Sequence, residues 1–93
     1  MKKIVKQVCG IDVAQKELVV CFGTLHEDFS QNLSSAKTFA NTHKGCTMLL
    51  SWAKKQAAKD VPLRFAMEAT GVYHEQLAYF LDDHEQEVSI ILP

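Results

Sequence analysis

The 93-residue chain carries ten Lys and Arg against eleven Asp and Glu, a formal net charge of -1, and 47% of its residues are hydrophobic. That content suits one small globular domain with a single core, spanning residues 1–93. It excludes a strongly basic, autonomous duplex-binding module, whose affinity would come from displacing counterions from phosphate.

Met1-Lys2-Lys3 leads into a strand-like segment broken by Lys6 and Gln7, with no secretory pattern and no run of about eighteen apolar residues. A soluble, cytoplasmic protein without membrane partners is expected. Cys9, Cys21 and Cys46 are an odd number, show no C-x-x-C pairing, and read as small buried hydrophobes in a reducing compartment. The lysine clusters, Lys2, Lys3 and Lys6 and then Lys54, Lys55 and Lys59, read as solvated surfaces rather than a phosphate track.

Residues 7–13 are apolar on both faces, which predicts a central strand covered on two sides. Within it a lone carboxylate, Asp12, stands among Val8, Cys9, Gly10, Ile11 and Val13. After Ala14-Gln15-Lys16, the stretch Glu17 to Thr24 is β-branched and aromatic, and the short link makes it an antiparallel hairpin partner. His26 to Asn32 reads as a turn, and a third, edge strand is expected over Leu33 to Phe39.

Helical spacing follows, with Cys46, Leu49, Leu50, Ala53 and Ala57 on one face, Asn41 or Thr42 as the N-cap, and an end before Pro62. "PLRFAME" is a strand with Leu63, Phe65 and Met67 on one face and Arg64, Ala66 and Glu68 on the other. Gly71 marks a turn. Tyr73, Leu77, Phe80 and Leu81 then predict a helix over 72–84 capped by Thr70, with Glu75 near its positive end. "EVSIILP" is a final strand.

The order β-β-β-α-β-α-β predicts a mixed sheet, antiparallel in its first half and parallel in its second, which is the order of an RNase H-like core. If the first strand neighbours the one after the first helix, Asp12 and Glu68 meet at their C-terminal ends, where open α/β sheets bind ligands. Paired carboxylates repel unless a cation intervenes, and oxygen donors favour Mg2+ or Mn2+, ions suited to phosphoryl transfer. Other readings stay open. Asp12 is equally a turn residue accepting backbone hydrogen bonds, and Glu68 could pair with Arg64 four residues back on the same face.

No other group stands out as strongly. His26, His43, His74 and His84 lack metal-ligand spacing, and no serine has elbow glycines. Tyr73 and His74 could reach the carboxylate end, with Tyr73 more naturally part of the apolar stripe. Trp52 reads as a packing residue.

"GIDVAQKELVVCF", "MEATGVYHEQLAYFL" and the terminal "VSIILP" together resemble the N-terminal RuvC-like domain of the DEDD-type insertion-sequence transposases, a domain shared with the Piv-type DNA invertases. The resemblance covers essentially the whole chain, and E-A-T-G-x-Y at Glu68 to Tyr73 is its most specific motif. It implies metal-dependent DNA strand cleavage and joining, with Asp12 and Glu68 as the first two acidic residues and metal ligands. The remaining two aspartates of the family lie beyond the strand at Val88 to Leu92, so Asp82 and Asp83, late in the second helix, are not substitutes. The resemblance further implies DNA, in many cases a guide RNA, homo-oligomers and a separate domain carrying a serine. This chain is therefore expected to be an N-terminal part, incomplete at the C-terminus, holding metal weakly and inactive alone. Two alternatives compete: a non-enzymatic oligomerisation or nucleic-acid interaction module, and half of an actin-like ATPase or sugar kinase. The latter is disfavoured by a hairpin, Ala14-Gln15-Lys16, without phosphate-holding glycines and hydroxyls.

Overall fold

The computed structural model describes residues 3–69 and 71–91. Its elements run β1 (Ile4–Val13), β2 (Glu17–His26), β3 (Gln31–Leu33), β4 (Lys37–Ala40), α1 (His43–Gln56), β5 (Leu63–Glu68), α2 (Glu75–Asp83) and β6 (Glu87–Ile91). They form one mixed sheet in the order β3-β2-β1-β5-β6, with β4 also paired to β2. β1 and β2 are an antiparallel hairpin, while β1, β5 and β6 run parallel, as expected from the short and helical connections respectively.

The expected third strand is two short ones. β3 pairs with Gly23 to Leu25 and β4 with Glu17 to Val20, so they lie in line along the same edge of β2. Between them Ser34 replaces the regular ladder: its Oγ accepts from the Phe22 N–H at 2.9 Å and its own N–H donates to the Phe22 carbonyl at 2.8 Å. A side chain that competes for backbone hydrogen bonds interrupts a strand in this way.

The core lies on one side of the sheet. Alternation sends Cys9, Ile11 and Val13, Leu18, Val20 and Phe22, and Phe65 and Met67 inward, against Cys46, Leu49, Leu50 and Ala53 of α1 and Leu77, Phe80 and Leu81 of α2. Trp52 packs at its margin with its ring 6.0 Å from that of Phe39. Thr42, not Asn41, caps α1, its hydroxyl accepting from the Gly45 N–H at 3.0 Å.

β1 was expected to be covered on two sides, and among the described residues it is covered on one. Lys6, Val8, Gly10 and Asp12 are exposed on the outer face. Connection handedness explains this: both helical crossovers add a parallel strand in the same direction, first β5 beside β1 and then β6 beside β5, and right-handed crossovers of that kind put both helices on one face.

α2 begins at Glu75, three residues later than its periodicity suggested. Gly71 adopts a left-handed φ of 63°, and a turn closed by the Glu75 N–H on the Val72 carbonyl precedes the helix. His74 occupies the cap position without a side-chain hydrogen bond, and the expected cap, Thr70, lies outside the described residues. Tyr73 is 44% exposed in that turn and is not part of the helix's apolar stripe. No described helix is long and apolar enough to cross a membrane.

Candidate metal-binding carboxylates at the sheet's C-terminal edge

The β1 and β5 ladder ends at the pair Ile11 and Met67. Asp12 and Glu68 are the next residue on each strand, and both point to the outer face because Ile11 and Met67 point to the core. Their outer neighbours are each held from the far side: Asp12 is opposite Val19 of β2, and Glu68 is opposite Ile91 of β6. The two carboxylates line one depression of about 430 Å³ together with Gly10, Ile11, Val19 and Cys21.

The competing readings of these residues can be checked against their contacts. The β1–β2 turn is closed by the Ala14 N–H on the Glu17 carbonyl at 2.9 Å, without help from Asp12. Arg64 does not pair with Glu68; its Nε lies 2.9 Å from the Glu87 carboxylate across the β5–β6 ladder. Among the described residues Asp12 and Glu68 have no hydrogen-bond or ion-pair partner, and both are exposed, so Glu68 pays none of the desolvation cost expected of a buried edge carboxylate.

Around the pair, small side chains leave space. A Cβ built on Gly10 meets no atom within 4 Å, so this glycine opens the floor of the depression and is not required by packing. Asn41 ties the adjacent loops together. Its Nδ2 donates to the Ala14 carbonyl at 2.9 Å, two residues past Asp12, and to the Tyr73 carbonyl at 3.1 Å in the turn that follows β5. The sequence reading missed this role and treated Asn41 only as a possible cap; a polar side chain bridging two turns leaves no periodic trace.

Other candidates fall away from the carboxylates. His43 and His84 pack on Phe80, with ring centroids at 5.4 and 4.1 Å, on the helical side of the sheet. Asp82 and Asp83 end α2 on that same side. Burial pushes the Cys9 thiol up to about 12 and raises Cys46, which suits inert core thiols. Among the described residues no three His, Cys, Asp or Glu side chains come together, so the donor set consists of two carboxylates. Such oxygen donors fit a hard divalent cation, and a pair alone leaves most of its coordination to water or to other ligands.

Comparison with known proteins adds family and fold. A family model described as a transposase, of the DEDD IS110 type, matches residues 9–93. The pilin gene-inverting protein of Moraxella lacunata is 33% identical over 88 residues, covering 95% of this chain and 26% of the relative. Its counterpart from Moraxella bovis is 32% identical over the same coverage. This chain thus spans about a quarter of the length of these relatives. Among solved structures, T. thermophilus RuvC in complex with a Holliday junction substrate superimposes with a TM-score of 0.59 at 13% identity, covering 94% of this chain and 66% of that one. A Ppx/GppA family member from Aquifex aeolicus gives 0.54 at 12% identity, covering 95% and 35%. At these identities the likeness is one of fold, and it places the mixed sheet with the RuvC, RNase H-like architecture.

Proposed function

The chain belongs to the DEDD transposase family, and from this we propose that Asp12 and Glu68 are half of an acidic site that holds Mg2+ or Mn2+ for DNA strand cleavage and joining. The observation that carries the reading is the placement of two carboxylates, without a partner among the described residues, at the ends of adjacent parallel strands, lining one depression. When bound, divalent cations supply activation of the attacking oxygen and stabilisation of the leaving oxygen in phosphoryl transfer. The chain's own residues would hold the cation from one side, Asp12 from β1 and Glu68 from β5. Gly10 and Cys21 keep the floor beside them low, leaving room for a phosphodiester to approach, and Asn41 fixes the turns behind them.

Two carboxylates are half of the four acidic ligands that the family pattern implies, so the 93-residue chain by itself holds the cation weakly and does not cut DNA. DNA as substrate, a guide RNA, a homo-oligomeric assembly and a cytoplasmic location are proposed for the longer protein to which such a domain belongs. In a protein carrying the whole acidic set, Asp12→Asn and Glu68→Gln should each abolish strand cleavage while leaving the fold intact. The reading fails if either variant cleaves a DNA substrate at the parent's rate with Mg2+. Incubation of the purified chain with supercoiled DNA and Mg2+ checks the second part, and the expected result is no nicking above a metal-free control.

A further inference from the structure

The ladder between β1 and β5 stops one pair short of the carboxylates, at Ile11 and Met67. Asp12 and Glu68 are paired only outward, with Val19 of β2 and Ile91 of β6 respectively. Strand ends past the last matched pair open most readily, so the ladder alone does not fix the gap between the two side chains. Cation–oxygen contacts span only about 2.0 to 2.6 Å, and a cation held by both carboxylates tolerates little change in that gap.

Among the described residues, the next hydrogen-bonded tie between the two chain segments runs through Asn41. Its Nδ2 donates to the Ala14 carbonyl at 2.9 Å, just past Asp12, and to the Tyr73 carbonyl at 3.1 Å, in the turn after Glu68. That turn is compact, with Gly71 at a φ of 63° and the Glu75 N–H on the Val72 carbonyl at 3.2 Å. Asn41 is itself held on every side. Its N–H donates to the Lys16 carbonyl at 3.0 Å, Ala40 before it pairs with Glu17, and Thr42 after it caps α1. Both Nδ2 hydrogens are used, while Oδ1 is buried without a partner among the described residues. A buried unpaired acceptor lowers stability, which marks the two donor bonds as what this position requires.

Resting on the reading of Asp12 and Glu68 as cation ligands, we infer that Asn41 is a positioning residue for that site: by holding the Ala14 and Tyr73 carbonyls on one amide, it sets the spacing at which both carboxylates engage one divalent cation. Asn41 touches neither the cation nor a substrate and acts through the two turns. Removing the amide should therefore weaken Mn2+ binding about tenfold, the lower end of the range for residues that orient metal ligands. The effect should also depend on both carboxylates being present. With Asp12→Asn only one carboxylate remains, there is no spacing to set, and loss of Asn41 should change Mn2+ affinity little.

Titration of the purified chain with Mn2+, read by water-proton relaxation, tests this with Asn41→Ala, Asp12→Asn and the double variant, each checked for folding by circular dichroism. Should Asn41→Ala not fold, Asn41→Ser, which stays polar but is too short to reach both carbonyls, is read in the same way. Gln7→Ala serves as the structural control. It breaks another clasp, the pair of 2.9 Å hydrogen bonds between the Gln7 amide and Ala58, at the end of β1 away from Asp12, and should lower stability while leaving Mn2+ affinity unchanged. An Asn41 variant that binds Mn2+ as tightly as wild type, an equal loss in the Asp12→Asn background, or an equal loss in Gln7→Ala would each overturn the role of Asn41 while leaving the carboxylate site standing. A wild-type chain that binds no Mn2+, or binds it unchanged in Asp12→Asn, would overturn the carboxylate site and the role of Asn41 with it.

Discussion

Asp12 and Glu68 are unusual in costing the fold nothing and giving it nothing. Both are exposed and neither has a partner among the described residues, so Asp12→Asn and Glu68→Gln should change unfolding stability in urea by no more than about 0.5 kcal/mol. A loss of several kcal/mol would mean that they are structural. Cys9 behaves in the opposite way. Burial pushes its thiol from the ordinary 9.0 up to about 12, so the unfolded chain releases the proton first as pH rises. The stability that the neutral thiol contributes is complete below about pH 9 and is lost as pH climbs toward about 12. Cys9→Ala should flatten that alkaline decline in a series of urea melts. Asp12 was legible in the sequence because a carboxylate breaks an apolar run, and Glu68 because it ends one. The partner of Arg64 was not, since Glu87 is 23 residues away and becomes its neighbour only through the β5–β6 register.

At the scale of elements, two residues lock the pieces that carry these groups. Gln7, buried on β1, donates to the Ala58 carbonyl at 2.9 Å and the Val61 carbonyl and accepts from the Ala58 N–H at 2.9 Å, clasping the α1–β5 connection just before β5 enters the ladder. Gln7→Ala would strand buried backbone groups, and chemical denaturation should show a loss of about 2 to 3 kcal/mol. Gly45 lies in the first turn of α1, where a Cβ would stand 1.7 Å from the Ala40 carbonyl oxygen. Gly to Ala in a helix ordinarily gains up to about 1 kcal/mol, but Gly45→Ala should lose about 2 kcal/mol or more in the same measurement because β4 and α1 must separate. Strands and helices with strict periodicity, such as β5 and α1, were legible from sequence nearly to their ends. The split of the third strand at Ser34 and the late start of α2 were not, because each depends on a backbone group diverted to a distant partner, Phe22 in one case and Asn41 in the other.

For the whole molecule, chirality decides what the sequence left ambiguous. Apolar residues on both faces of β1 suggested two covering layers, whereas the two same-direction crossovers place α1 and α2 together and leave the outer face uncovered by described elements. That face carries the carboxylates at one end and an apolar groove lined by Val5, Val8 and Leu33 at the other. The parallel neighbours β1 and β5 were inferable from order alone, and with them the meeting of Asp12 and Glu68. The depression's other walls were not, since Val19 and Cys21 reach it through hairpin register. Titration of the labelled chain with Mn2+, followed by paramagnetic broadening of its backbone amide signals, tests the two-carboxylate site most directly. Broadening centred on Gly10, Asp12, Val19 and Glu68, and lost in both Asp12→Asn and Glu68→Gln, is the expected result. Broadening that is centred elsewhere, or that persists unchanged in either variant, would contradict it.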